Sequence, residues 1–168
     1  VDLDDIYEIH DTSRVGIAGF DISFNTLTST SYGIRLRGIS NSFSQMDPGT
    51  LGYFGDCTMD TNTINSGQGI YYQFNLMQTA MSVVGNVTIA RNAVDAVGNG
   101  VDFVGLNLLG VTAQGALYVG DLDISYNLVD SSGGYGIKTI AFLQDVHASD
   151  VTLGRWTVDR NNITNANY

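Results

Sequence analysis

The stretch that decides the fold is Leu122-Asp123-Ile124-Ser125-Tyr126-Asn127-Leu128-Val129, because the chain repeats its pattern five times. Relative to Asn127, apolar residues stand five and three positions before it and two positions after it. The same pattern surrounds each of five asparagines, which are Asn25, Asn62, Asn92, Asn127 and Asn161. Successive asparagines are 37, 30, 35 and 34 residues apart, and self-similarity at such a period is the signature of a repeat architecture.

Two glycine signals recur in phase with the asparagines. A glycine followed by a β-branched residue stands seven to nine positions after the first four asparagines, at Gly33-Ile34, Gly69-Ile70, Gly100-Val101 and Gly136-Ile137. A closing glycine precedes each asparagine by six or seven positions, at Gly19, Gly55, Gly85, Gly120 and Gly154. Three markers that keep one phase over the whole chain indicate structural repeats.

Each repeat is predicted to contain two strands and, after a polar excursion, a third apolar run that leads to the closing glycine, as in 51–54 before Gly55. Apolar and polar residues alternate before each asparagine, which is the period of a half-buried strand, and no repeat carries helical spacing over ten or more residues. The asparagine interrupts this alternation, and because Asn tolerates positive φ we expect the asparagine itself to make a sharp bend. The second strand is expected at the Gly-Ile pair. Polar excursions should follow it, for example over 38–50 and 106–114.

A strand with one buried face needs neighbours, and copies at a fixed period supply them by stacking in parallel, ~4.8 Å apart. Two inward columns are then predicted, Phe20-Cys57-Val87-Leu122-Trp156 and Ile22-Met59-Ile89-Ile124-Val158. Cys57 is accordingly expected to be a small buried hydrophobe. The asparagines should form an amide ladder, each side chain bonding the next. The sequence therefore predicts an all-β parallel solenoid of about five coils, in a single domain over 1–168.

The asparagine-centred pattern with its trailing Gly-Ile resembles the right-handed parallel β-helix repeat of pectate-lyase-like, polysaccharide-epimerase-like and periplasmic copper-delivery-like proteins. It also resembles the turns of long archaeal and bacterial surface proteins. The resemblance covers residues 15–168, although the coils here are ~10 residues longer than the compact family turn. It implies a single-stranded right-handed parallel β-helix with an asparagine ladder. It implies little about function, since one scaffold carries enzymes, adhesins and fibres.

Composition limits the partners and suggests a location. Seventeen acidic and seven basic residues give a net charge of −10, so a phosphate backbone would be repelled and no nucleic acid partner is expected. No apolar run approaches the ~20 residues of a membrane span. Low charge with many Asn, Thr, Ser, Gly and Tyr is typical of secreted chains, so we expect an extracellular or cell-surface location. There, the Asn-x-Thr triplets at Asn86 and Asn162 would permit N-glycosylation.

Acidic residues near the first strand of each repeat are the candidates for a metal site, since related lyases use acidic clusters with calcium. The candidates there are Asp56, Asp60, Asp121 and Asp123, and Asp102 is a fifth candidate in a second strand. A solvated strand face is the simpler interpretation. The segment 98–104 resembles half of a calcium-binding nonapeptide, but it occurs once, and Asp102 has a simpler partner in Lys138 one repeat later. We expect no cofactor, with calcium left open.

The sequence predicts no catalytic residues. A lyase needs a basic residue that faces a carboxylate cluster, whereas Arg91 and Arg160 stand two repeats apart. Were the chain an enzyme, the resemblance would imply a polysaccharide lyase or epimerase. The first hypothesis is a structural segment of a filament, sheath, stalk or adhesin shaft, part of a longer array or a protomer that stacks end to end with itself. The alternative is a carbohydrate-active module that binds or processes glycans.

Overall fold

A computed structural model describes residues 2–3, 14–36, 51–76, 81–109, 116–144 and 150–167. This part of the chain contains sixteen strands and no helix. The pairings between these strands are parallel, with equivalent residues of successive repeats side by side. The predicted all-β class and the predicted parallel pairing are therefore confirmed.

The first of two sheets is built around the strands that follow the asparagines. It contains β1 (Asp2–Leu3), β3 (Thr26–Leu36), β5 (Thr63–Leu76), β8 (Ala93–Ala96), β9 (Val101–Leu109), β12 (Leu128–Ser131), β13 (Ile137–Gln144) and β16 (Asn162–Thr164). Their main order is β1-β3-β5-β8-β12-β16. Strand β5 is long enough to pair with β8 over its first half and with β9 over its second, and β9 then pairs with β13.

The second sheet is built around the strands that precede the asparagines. It contains β2 (Arg14–Ser23), β4 (Leu51–Asp60), β6 (Met81–Val84), β7 (Val87–Ala90), β10 (Ala116–Val119), β11 (Leu122–Ser125), β14 (Asp150–Leu153) and β15 (Trp156–Asp159). The order is β14-β10-β6-β4-β7-β11-β15, with β2 also paired to β4. Strand β4 contacts β6 through its first half and β7 through its second half.

The strand register follows the sequence period. In β11, Leu122 pairs with Val87 of the preceding repeat and with Trp156 of the following one. Both predicted inward columns are in register throughout, and so is the third, Leu27-Ile64-Val94-Val129-Ile163. Residues that are distant in sequence thus become direct neighbours across the stack.

The inward columns form one hydrophobic core that takes side chains from both sheets. Its fully buried members include Ile34, Phe54, Met59, Ile64, Ile70, Ile89, Leu122 and Ile124. Aromatic rings extend this core: Tyr72 stacks on Phe103 with 5.0 Å between ring centroids, and Phe103 meets Trp156 edge-on at 5.6 Å. Burying one such side chain contributes about 1.5–3 kcal/mol, so the columns are the main source of stability.

The bend of each repeat differs from the prediction in one respect. Positive φ falls on the residue before each asparagine, at Phe24 (59°), Thr61 (54°), Arg91 (53°), Tyr126 (57°) and Arg160 (52°). The predicted bend is present at each asparagine, but the residue that has positive φ is the one before it. The preceding residue turns the chain, and the asparagine is thereby free to direct its side chain along the stack.

One predicted excursion begins later than expected. Residues 106–109 belong to β9, because they pair with Ala141–Gln144 of β13 and so continue the sheet. The excursion predicted over 38–50 lies outside the described residues.

Both glycine columns lie where successive repeats approach closely. A Cβ atom on Gly100 would stand 2.1 Å from Cγ1 of Val129 and 2.6 Å from the carbonyl oxygen of Gly136. A Cβ atom on the closing residue Gly85 would stand 2.6 Å from the backbone nitrogen of Asp56. Any side chain at these positions would therefore push neighbouring repeats apart.

Candidate functional site

The five asparagines form a continuous column of side-chain hydrogen bonds. Each Nδ2 donates to Oδ1 of the next, from Asn25 to Asn62 at 3.0 Å, Asn62 to Asn92 at 2.9 Å, Asn92 to Asn127 at 3.0 Å and Asn127 to Asn161 at 2.9 Å. The same Oδ1 atoms also accept the backbone N–H of the preceding asparagine, at 2.9–3.0 Å. The column is thus bonded through both side chain and backbone.

An interior asparagine has its bonding capacity filled. Oδ1 of Asn92 accepts the backbone N–H and the Nδ2 of Asn62, while its own Nδ2 donates to the Met59 carbonyl and to Asn127. Its exposed fraction is 1%. A buried amide is tolerated only when its donors and acceptors are paired, and these four bonds meet that condition.

A second column, which the sequence analysis missed, follows the closing glycines. Oδ1 of Asp56 accepts the backbone N–H of Asn86 at 2.7 Å, Oδ1 of Asn86 accepts that of Asp121 at 2.8 Å, and Oδ1 of Asp121 accepts that of Arg155 at 2.7 Å. The signal was an Asp or Asn directly after three of the five closing glycines. Two metal candidates, Asp56 and Asp121, therefore serve as hydrogen-bond acceptors between repeats.

A third, shorter column is formed by the residues directly before three of the Gly-Ile or Gly-Val pairs. Oε1 of Gln68 accepts the backbone N–H of Asn99 at 2.9 Å, and Oδ1 of Asn99 accepts that of Tyr135 at 3.0 Å. In the segment that resembles a calcium-binding nonapeptide, Asn99 also donates its Nδ2 to Asp102 at 2.9 Å. Lys138 Nζ lies 3.7 Å from Asp102, so the predicted ion pair is present.

The remaining acidic candidates have separate environments. Asp60 forms an ion pair with Arg91 and accepts a hydrogen bond from Oγ1 of Thr61 at 3.1 Å. Oδ1 of Asp123 is buried and has no hydrogen-bond partner among the described residues. Within the described ranges, no three Asp, Glu, His or Cys side chains lie together in a group that could hold a metal ion. The structure therefore does not gather the five candidates into one site.

Two buried titratable groups lie in the core. Cys57 is fully buried and free, as expected, and burial raises the pKa of its thiol to about 12, with a smaller contribution from the charge of Asp21. A thiol with so high a pKa stays protonated and is a poor nucleophile. Burial also raises the pKa of Tyr72 well above its ordinary value, and its hydroxyl has no hydrogen-bond partner in the described part of the chain.

The residues with positive φ form an exposed strip along one edge of the stack. We call Phe24, Thr61, Arg91, Tyr126 and Arg160 the edge strip. Phe24 is 79% exposed, and the guanidinium of Arg160 lies 5.3 Å from the ring centroid of Tyr126 and donates to its hydroxyl. The edge strip thus carries two aromatic and two cationic side chains, with Thr61 between Phe24 and Arg91, and all five residues are exposed.

Both predicted glycosylation acceptors are exposed. Asn86 lies between β6 and β7, and Asn162 lies in β16. Oδ1 of Asn86 already accepts a backbone hydrogen bond, which fixes the orientation of its amide. Glycan attachment at either residue stays a prediction.

Comparisons with protein-family models, with curated proteins and with solved structures found no match. The described residues include no helix long and apolar enough to cross a bilayer. The geometry defines an all-β repeat protein with parallel strands.

Proposed function

We propose that the chain is a structural segment wound as a right-handed parallel β-helix, with the asparagines as its internal ladder, and that it extends by end-to-end stacking. Right-handed winding is supported by a general rule, since crossover connections between parallel strands of one sheet are right-handed in ≈98% of cases. In this role the segment would form part of a filament, sheath, stalk or adhesin shaft.

The observation that carries the proposal is the exposure of inward positions in the fifth repeat. Val158 is 52% exposed and Ile163 is 44% exposed, although the equivalent residues Ile124 and Val129 of the fourth repeat are fully buried. A further repeat, either of the same chain or of a neighbouring copy, would cover these side chains as the fifth repeat covers those of the fourth. A further parallel strand is the partner that would both cover these side chains and pair the backbone of β15 and β16.

The use of the polar side chains supports a structural role. All three polar columns bond one repeat to the next, and two of the acidic candidates belong to them. We therefore propose no catalytic function. An extracellular or cell-surface location completes the proposal, in agreement with the composition and with the exposure of Asn86 and Asn162.

The experiment that tests this function measures assembly of the purified chain. Analytical ultracentrifugation over a wide concentration range should show mass-action growth, and electron microscopy should show fibres with an axial step of ~4.8 Å per repeat. A chain that remains monomeric at high concentration would contradict the proposal.

The second candidate is a glycan-binding module on the same scaffold, and the edge strip favours it. Arg91 and Arg160 are both more than half exposed and flank Tyr126, so they offer positive charge beside an aromatic ring. An anionic sugar would have to compete with Asp60 and Asp159, which already form ion pairs with these two arginines. Binding and turnover should be screened with anionic polysaccharides, with and without calcium. Saturable binding by a non-assembling chain would favour this candidate over the structural one.

A further inference from the structure

Three side chains outside the asparagine column meet between the third and fourth repeats. They are Asn99, Asp102 and Lys138, and Lys138 is the single lysine of the chain. Nδ2 of Asn99 donates to Oδ2 of Asp102 at 2.9 Å, and Nζ of Lys138 lies 3.7 Å from Oδ1 of the same carboxylate. The strand register explains this meeting, because Lys138 of β13 pairs with Asp102 of β9. One carboxylate thus contacts both an amine and a side-chain amide.

The carboxylate of Asp102 is placed to accept a proton. The residue is 8% exposed, and its Oδ1 accepts no hydrogen bond from the described residues. The ammonium of Lys138 is the acid beside this oxygen. A separation of 3.7 Å is longer than a hydrogen bond, and a small rotation of the flexible lysine stem closes it. Asp102 can therefore act as a general base toward Lys138.

The side-chain amide of Asn99 is held in a way that suits attack by a nucleophile. Its Oδ1 accepts the backbone N–H of Tyr135 at 3.0 Å, and a Cβ atom on Gly134 would stand 2.4 Å from that oxygen. A backbone N–H that points at a carbonyl oxygen stabilises the negative charge that develops there during attack, as in an oxyanion hole. The amide of Asn99 thus has a hydrogen-bond donor at its oxygen and the Asp102 carboxylate at its nitrogen.

We propose that Lys138 and Asn99 react to form an amide bond between their side chains, which joins the third repeat covalently to the fourth. Asp102 takes a proton from Nζ, and the freed amine attacks Cγ of Asn99. The bond between Cγ and Nδ2 then breaks as Asp102 delivers the proton to Nδ2. Of the three ammonium protons, one stays on the new amide nitrogen and two leave with Nδ2 as ammonium. Asp102 is ionised again at the end, and no oxidant or reductant is consumed.

The cross-link goes beyond the proposed structural function and does not depend on assembly. It closes a loop of about 40 residues, and a covalent loop of this size restricts the unfolded chain. The cross-linked protein should therefore unfold at a temperature roughly 10 °C higher than the same chain without the bond.

Mass spectrometry of the folded chain tests the proposal directly. After incubation, we expect the intact mass to fall by one ammonia molecule. A tryptic digest should contain a branched peptide in which Lys138 is joined to Asn99, and cleavage after Lys138 should be lost. A chain kept unfolded in guanidinium chloride is the comparison and should give no branched peptide, because the reacting groups are then apart. A folded chain that keeps its full mass and is cleaved after Lys138 would overturn the proposal.

The matched control is Lys138→Arg, which keeps a cation beside Asp102 but has no nucleophilic amine. We expect this variant to keep its full mass and to lack the higher unfolding temperature. The control also covers a second route to the same mass, because attack by the Gly100 backbone nitrogen on the Asn99 side chain would release ammonia without Lys138. A loss of ammonia that is as large in Lys138→Arg as in the wild type would therefore overturn the proposal.

A second variant tests the proton transfer. Asp102→Asn has nearly the same shape and can still accept the hydrogen bond from Nδ2 of Asn99, but it cannot carry a proton from Nζ. We expect the branched peptide to form at least ~100-fold more slowly, the contribution typical of general acid–base catalysis. Cross-linking of Asp102→Asn at the wild-type rate would contradict the role of this carboxylate.

Discussion

At the scale of single residues, the asparagines could be identified from sequence but the geometry around them could not. A polar residue that recurs inside an apolar pattern must be buried and paired, and this requirement alone indicates a column of bonded amides. The position of the positive φ carried no such signal. Phe24, Thr61 and Arg91 are types that rarely adopt this conformation, so their identity gives no warning of it.

The first prediction concerns an interior asparagine. Asn92→Ala removes four side-chain hydrogen bonds and leaves buried groups of Asn62, Met59 and Asn127 without those partners. We expect a loss of at least ~3 kcal/mol in the free energy of unfolding, measured by urea denaturation. Asn25→Ala is the control, because its side chain makes only two such bonds to the described residues and should cost less. Equal losses would contradict the role of the column.

The second prediction concerns the strained bend at Thr61. A β-branched residue at a φ of 54° is disfavoured by about 1–2 kcal/mol, whereas asparagine adopts this region more readily. Thr61→Asn should therefore raise the free energy of unfolding by ~1 kcal/mol. Thr63→Asn, an exposed change inside β5, should instead lower it slightly, because asparagine is a poor strand former. A loss at position 61 would show that the Thr61 side chain stabilises the bend.

The third prediction concerns alkaline pH. The pKa of Cys57 is 9.0 in the unfolded reference and about 12 in the folded chain, so between these values the unfolded state binds fewer protons. Stability is therefore complete below pH ~9 and falls by up to about 1.4 kcal/mol per pH unit as pH rises toward 12. Urea titrations of Cys57→Ala should show a shallower decline over this window, with Tyr72 still contributing. An unchanged slope would mean that the thiol does not ionise on unfolding.

At the scale of the elements, strand type, order and register followed from the repeat period, while strand length did not. Equivalent residues had to pair because each repeat runs in the same sense, and Leu122 lies between Val87 and Trp156 as expected. The extra length of β9 depends on pairing with β13, which residues 106–109 do not encode locally. The sequence contains a signal for the acceptor column, because Asp56, Asn86 and Asp121 each stand directly after a closing glycine. Two of the three are aspartates, which are also typical metal ligands, so the sequence favoured a metal site instead.

The fourth prediction tests the close approach at the second glycine column. Gly100→Ala places a methyl group 2.1 Å from Val129 and 2.6 Å from the Gly136 carbonyl, so β9 must move away from its neighbours. We expect a loss of ~1–3 kcal/mol in the free energy of unfolding from this overpacking. Gly98→Ala is the comparison, because its nearest contact is the amide end of the Gln68 side chain rather than backbone. We expect a smaller loss there, set by the hydrogen bond between Gln68 and the Asn99 backbone that the displaced amide would give up. A cost as large for Gly98→Ala would indicate a general backbone effect.

At the scale of the whole molecule, the sequence predicts the fold but does not predict the function. The repeats determine the fold, because every repeat places apolar residues at the same inward positions. Each repeat therefore indicates the same strand pairing independently of the others. Function has no comparable repetition in this chain, and the candidate acidic residues proved to be distributed over several columns. The informative quantity at this scale is the net charge of −10, which any assembly of copies has to bring together.

The fifth prediction follows from that charge. Each chain carries a net charge of −10, so two copies repel at low ionic strength, whereas the proposed contact is built from apolar side chains and backbone hydrogen bonds. Raising ionic strength from 0.01 M to 0.15 M shortens the Debye length from ~30 Å to ~8 Å and should promote assembly in sedimentation experiments. Binding of an anionic glycan through Arg91 and Arg160 would respond in the opposite direction, because screening weakens attraction between unlike charges.

Sodium chloride and sodium sulfate at equal ionic strength serve as the control. Charge screening predicts a similar gain in assembly with both salts, whereas preferential exclusion from the protein surface predicts a larger gain with sulfate. Assembly that weakens as salt is added would show that ion pairs, rather than the apolar columns, hold neighbouring copies together.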